Sequence, residues 1–238
     1  MTARPKKCNI GQKEAHYLGY VIGNGQLKPD MAKVKSIVEF PQPTTKTEVR
    51  SFAGLANYYR SFVPNFADLM APLHDLTKKN ASLTVVWTPE CEQSFVKLKE
   101  LMTKAPVLCS PDYSLPFVVQ VDASEHGLGA VLSQVQAGEE HPICYLSRKL
   151  LPRESNYATI EKECLAIVWA LRTLDVYLFG RSFTVQTDHN PIRWLNDFKG
   201  KNQRLLRWSL TLQDYKFQVV HRKGVDNGNA DALSRAYT

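Results

Sequence analysis

The 238-residue sequence contains no run of about 18 apolar residues of the kind that crosses a bilayer. Its first residues, MTARPKKC, lack the apolar stretch of a secretory signal. Neither membrane insertion nor export is indicated, and the expected compartment is intracellular, either cytoplasm or nucleus. Its five cysteines (Cys8, Cys91, Cys109, Cys144 and Cys164) are odd in number and form no C-x-x-C pair. That pattern argues against a disulfide framework and against a zinc site. There is no internal repeat and no low-complexity tract. With 44% hydrophobic and 22% charged residues, the chain has the composition of one large folded domain or two small ones.

Charge is present in excess but unevenly. The net charge is +7, and residues 1–80 hold 12 Lys/Arg against 6 Asp/Glu, whereas residues 81–238 hold 18 against 17. A basic first part beside a near-neutral second part suits a protein that grips a polyanion with one and concentrates acidic chemistry in the other. A solvated basic surface has the same signature.

Local patterns divide the chain further. Residues 15–27, AHYLGYVIGNGQL, place an apolar and aromatic run before Asn24-Gly25, a hairpin-turn dipeptide. From Lys28 the spacing of Met31, Val34, Ile37 and Val38 predicts a helix that Pro41 and Pro43 stop. Thr45 and Glu48 form a capping box for a second helix striped by Val49, Phe52, Leu55 and Tyr59. A third stretch, NFADLMAPLHDLTKK, follows Pro64. Phe95, Leu98 and Leu101 mark a helix over 90–102. β-Type runs then cover 116–122, 128–135 and 141–147, followed by a long helix over 159–178. Strands at 182–187 and 215–221 flank a helical region over 191–212, and a last helix begins near Asn229. The order β-β-β-α-β-α-β-α is that of a mixed α/β domain.

Four acids fall where such a domain offers side chains to solvent. Asp122 ends the strand PFVVQVD, Glu163 lies in the first turns of the long helix, Asp188 ends SFTVQTD and Asp231 opens the last helix. Converging carboxylates repel unless cations lie between them, and two Mg²⁺ ions about 4 Å apart can then drive phosphodiester hydrolysis without a covalent intermediate. Each acid alone also reads as a turn former or helix cap. Spacing by itself does not prove that the four converge.

The strings VDASEHGLGAVLSQ, YLSRKL, NYATIEKECLAIVWAL, TDHNPIRWL and NQRLLRWSLTLQDYKFQVVHRKGVDNGNADALSR resemble the ribonuclease H domain of gypsy-type retrotransposon polyproteins. Upstream, KKCNIGQKEAHYLGYVIGNGQLKPD, RSFAGLANYYRSFVPNFADLMAPL, WTPEC and LKELMTKAPVL resemble the same elements, so the likeness covers nearly the whole chain. It implies a ribonuclease H-like mixed sheet with flanking helices, preceded by a small helical thumb and a β-hairpin. The implied division is 1–27 as the end of a palm with a primer-grip-like hairpin, 28–80 as thumb, 81–112 as connection and 113–238 as ribonuclease H domain.

The implied activity is metal-dependent endonucleolytic cleavage of the RNA strand of RNA–DNA hybrids. Asp122, Glu163, Asp188 and Asp231 match the four catalytic, metal-binding acids, with two Mg²⁺ ions as cofactor and Mn²⁺ able to substitute. His221, ten residues before Asp231, matches an auxiliary histidine of related domains. The structural alternative is a histidine that ends an edge strand. Ser124 and Asn190 are candidate hybrid contacts, and equally plausible turn residues. Lys33, Lys35, Lys46, Arg50 and Arg60 are candidate phosphate contacts of the thumb, and deleting residues 1–80 is expected to weaken binding and flatten its salt dependence. Of Glu161 and Glu163, the resemblance selects Glu163 through ECLAI and leaves Glu161 on a solvated face.

No Y-x-D-D motif is present, so the chain lacks the metal site for nucleotide addition. The expected partners are an RNA–DNA hybrid and the fingers and palm of the same polyprotein, with no membrane. The competing readings are a host-adopted fragment that binds nucleic acid without cutting, and an integrase or transposase core. The second uses three acids in a different motif order.

Overall fold

A computed structural model describes residues 11–81, 84–104, 108–188 and 203–221. The chain opens with three antiparallel strands, β1 (Glu14–Tyr17), β2 (Tyr20–Gly23) and β3 (Gln26–Pro29), and β4 (Leu108–Cys109) later joins β3. The hairpin expected at Asn24-Gly25 connects β2 and β3, with both turn residues at positive φ. A second turn, at Leu18-Gly19, splits the apolar and aromatic run into β1 and β2. Leucine rarely adopts the positive φ of 47° that Leu18 takes. The turn is held from outside, because the Tyr58 hydroxyl donates to the Leu18 carbonyl and the Tyr59 hydroxyl to that of Gly19 at 2.8 Å.

Four helices follow. α1 (Met31–Val38) starts after Lys28 and Pro29 have finished β3, and Asp30 caps it by accepting the Ala32 N–H at 3.0 Å. α2 (Lys46–Tyr58) carries the predicted box: Thr45 accepts from Glu48 N and the Glu48 carboxylate from Thr45 N, both at 3.2 Å. Leu55 is not in the buried stripe, being 41% exposed; Ala53 and Ala56 take its place and let neighbouring elements approach closely. α3 (Phe66–Asp75) and α4 (Pro89–Thr103) complete the set. Phe52, Phe62, Met70, Leu73, Phe95 and Leu98 fill one core shared by all four helices, and Val131 and Tyr145 from the following sheet enter the same core.

That sheet has five strands: β5 (Phe117–Ala123), β6 (Gly127–Gln136), β7 (Glu139–Lys149), β8 (Ser182–Thr187) and β9 (Lys216–His221). Their order is β7-β6-β5-β8-β9, antiparallel on the β7 side and parallel from β5 to β9. On its other face lie α5 (Pro152–Ser155), α6 (Thr159–Thr173), α7 (Asp175–Leu178) and α8 (Gln203–Leu212) around a second core of Phe117, Val119, Val121, Ile167, Leu171 and Val185. The single long helix expected over 159–178 breaks at Leu174. No Gly or Pro marks this break, and it allows Leu174 and Leu178 both to be buried. The expected helical residues 191–202 and the helix near Asn229 lie outside the described residues.

Candidate active site

The sheet register places two of the acids. β5 and β8 are parallel, running in step from Phe117↔Phe183 to Gln120↔Gln186. Pairing stops there, and Asp122 and Asp188 each stand two residues beyond the last paired residue, at the carboxyl ends of adjacent strands. Side chains alternate along a strand, so Val119, Val121 and Val185 turn into the second core and Asp122 falls with Gln120 and Gln186 on the opposite face, while Asp188 stands one residue beyond β8. Gln120 Nε2 reaches Gln186 Oε1 at 3.4 Å across that face.

Glu163 stands five residues into α6 and is 1% exposed, in a helix that lies against β5. Burial, and then the negative charges of Glu163 and Glu161, push the Cys164 thiol up to about 12. The donor set is carboxylate oxygen, which suits hard Mg²⁺ or Mn²⁺ rather than a thiolate-seeking metal. Among the described residues, however, no three His, Cys, Asp or Glu side chains stand close enough together to hold one ion. Asp231 and Asn190 lie outside the described residues.

His221 ends β9, exposed, opposite Thr187 and thus one residue from Asp188. The Ser124 hydroxyl accepts the Gly127 and His126 amides at 2.9 and 3.2 Å and donates to the Gly127 carbonyl, so it closes the β5–β6 turn.

Residues 112–215 match the family described as RNase H-like domain found in reverse transcriptase. The chain is 45% identical over 231 residues to the retrovirus-related Pol polyprotein from transposon 297 of Drosophila melanogaster, covering 96% of this chain and 21% of that protein. It is 37% identical over 246 residues to the Pol polyprotein from transposon gypsy of the same organism, covering 99% of this chain and 23% of that protein. The chain thus spans about a fifth of the length of these curated relatives. The foamy viral protease-reverse transcriptase in complex with RNA/DNA hybrid shares the fold, with TM-score 0.76 and 23% identity over 92% of this chain and 30% of that one. No helix among the described residues is long and apolar enough to cross a membrane.

The RNase H-like domain also carries a basic and aromatic pocket, built from residues distant in sequence. Arg153, Arg204, Arg207, Tyr157 and Trp208 line a cavity of about 230 Å³ between α5, α6 and α8. Arg204 stacks over the Tyr157 ring at 3.8 Å and donates to Glu161 Oε1 at 2.9 Å. Glu161 is therefore not on a solvated face, its side chain being 14% exposed. Spacing within QRLLRW was the available signal, since Arg204, Arg207 and Trp208 fall three and four residues apart on one helix surface.

Upstream of the domain, several basic residues are already engaged. Lys46 donates to the carbonyls of Lys78 and Ala81 at 3.1 and 2.7 Å, Arg50 to that of Thr77 at 3.4 Å, and Lys35 pairs with Glu39 at 3.6 Å. Lys33 and Arg60 are exposed.

Proposed function

We propose that the chain hydrolyses the RNA strand of RNA–DNA hybrids endonucleolytically, as the nuclease part of a retroelement reverse transcriptase whose fingers and palm lie elsewhere in the polyprotein. The observation that supports this best is the register of β5 and β8, which sets Asp122 and Asp188 on adjacent strand ends of an RNase H-like domain. Asp122, Glu163, Asp188 and Asp231 are the residues that would hold two Mg²⁺ or Mn²⁺ ions. When bound, the ions supply activation of water and charge neutralisation at phosphorus. His221, which ends β9, would move a proton or assist product release.

Hybrid selection rests on duplex shape and 2′-hydroxyls rather than base edges, as degradation of a whole template requires. Arg153 and Arg207 would join Lys33 and Arg60 as strand-phosphate contacts, and Ser124 and Asn190, each two residues after an acid in the sequence, would contact the hybrid. Water attack at phosphorus expels the 3′ oxygen, so the products carry 5′-phosphate and 3′-hydroxyl ends.

The test is cleavage of end-labelled hybrid, duplex DNA and duplex RNA. The expected result is Mg²⁺- or Mn²⁺-dependent cutting of RNA in the hybrid alone, with Ca²⁺ supporting binding and little cutting because its coordination is looser. Cleavage that survives excess chelator, or that ignores the RNA strand, would refute it.

A further inference from the structure

The segment that precedes the RNase H-like domain reaches over Asp122. Pro64 and Asn65 lead into α3, and Asn65 adopts left-handed backbone angles (φ 46°, ψ 33°), which asparagine tolerates better than most residues. This turn sends Phe66 into the first core and directs the Ala67 N–H to Ser147 Oγ on β7 at 2.9 Å. Two glycines of β6 make the approach possible. A Cβ at Gly127 would stand 2.7 Å from Asp68 Oδ1, and one at Gly129 would stand 3.1 Å from Asn65 Oδ1.

Gly129 is the cross-strand partner of Asp122. With no side chain there, Asn65 occupies the space beside the carboxylate's strand end. Pro64, Asn65, Gln120, Asp122, Gly129 and Tyr145 line a cavity of about 10 Å³, room for one water at most. Gln120, 2% exposed, lines the same space, and its Oε1 has no hydrogen-bond partner among the described residues. Two amides and one carboxylate therefore share a space too small for a mobile solvent layer.

We infer that Asn65 is a positioning residue for Asp122, supplied by the upstream helical unit: its amide restrains the end of β5, directly or through a single water. The inference rests on the nuclease reading above and adds to it that the site is incomplete without the upstream unit. Restraint of this kind fixes a ligand's orientation and acts on turnover and metal affinity rather than on substrate binding.

The test uses the full chain and the variant Asn65→Gly, which removes the amide and keeps a residue at ease with positive φ. Asp68→Asn serves as a control that alters the same interface without touching the amide. Steady-state cleavage of hybrid gives kcat and KM, and calorimetric titration with Mn²⁺ gives metal affinity independently of turnover. Asn65→Gly should lower kcat by about 10-fold or more, leave KM within about 2-fold and weaken Mn²⁺ binding by a similar factor to kcat. Asp68→Asn should leave all three near wild type. Wild-type kcat and Mn²⁺ affinity in Asn65→Gly would overturn the inference, as would equal losses in both variants, which a merely structural interface predicts. If the wild type cuts no hybrid, the nuclease reading fails and Mn²⁺ affinity alone decides: unchanged affinity in Asn65→Gly overturns the inference, and weakened affinity upholds it.

Discussion

Glu161 and Glu163 sit two positions apart in α6 and meet different environments. Side chains so spaced diverge by about 200° around a helix. Glu161 is fully employed: one oxygen accepts the Ala158 amide at 3.2 Å at the helix start, and the other accepts from Arg204 at 2.9 Å. Glu163 is turned inward and 1% exposed. Glu163→Gln should therefore reduce cleavage by more than the roughly 10–100-fold that loss of an outer partner costs, with hybrid binding retained. Glu161→Gln should stay within a few-fold in turnover but lose about 1 kcal/mol of stability from the weakened helix start and ion pair. Turnover and thermal unfolding of the two variants decide; the opposite ranking in turnover would move the metal ligand to Glu161.

At the scale of elements, the Leu18-Gly19 turn depends on α2 rather than on its own sequence. The Tyr59 ring is 3% exposed, stacked edge-on to Tyr20, and its hydroxyl holds the Gly19 carbonyl. Tyr59→Phe should cost about 1 kcal/mol, read from denaturant unfolding, because it strands a carbonyl and frees the hairpin tip. Burial, then Tyr58, Tyr20 and Asp30, push the Tyr59 hydroxyl from 10.0 up to about 12. A pKa raised on folding contributes stability below the unfolded value near 10 that is lost as pH rises through about 12. The wild type should thus lose stability over that alkaline range more steeply than Tyr59→Phe, and equal slopes would show that Tyr59 ionises as a solvated phenol. α1, α2, α4 and β5 to β9 were legible because periodicity and caps specify them locally. The Leu18 turn and the α6–α7 break were not, because tertiary hydrogen bonds and burial impose them against local preference.

For the whole molecule, Val131 and Tyr145 of the RNase H-like sheet belong to the core of α1 to α4. Removing residues 1–80 would expose that core and confound any test of charge, so the deletion expected from sequence to report on salt dependence is the wrong experiment. Point changes isolate the electrostatics. Lys33→Glu, Arg60→Glu and Arg207→Glu should each weaken hybrid binding more at low salt than at high, reducing the slope of log K against log salt by about 1 per lost phosphate contact. An unchanged slope in filter binding would remove that residue from the interface. Lys46 and Arg50 variants should instead change stability, since their charges secure the carbonyls that follow α3.

The sequence by itself determined the α/β order, the basic upstream region and the family resemblance, and it marked the acids proposed here for the chemistry, because all of these are properties of local spacing and composition. Their partners were a different matter. That Asp122 and Asp188 come to the ends of adjacent strands is a consequence of parallel pairing between strands about 60 residues apart, which no local pattern encodes. That Glu161 pairs with Arg204, and that Asn65 stands over Gly129, follows from helices packing across the sheet. Only the tertiary structure decided these contacts, because long-range packing brings such residues together while leaving no periodic trace in the sequence around them.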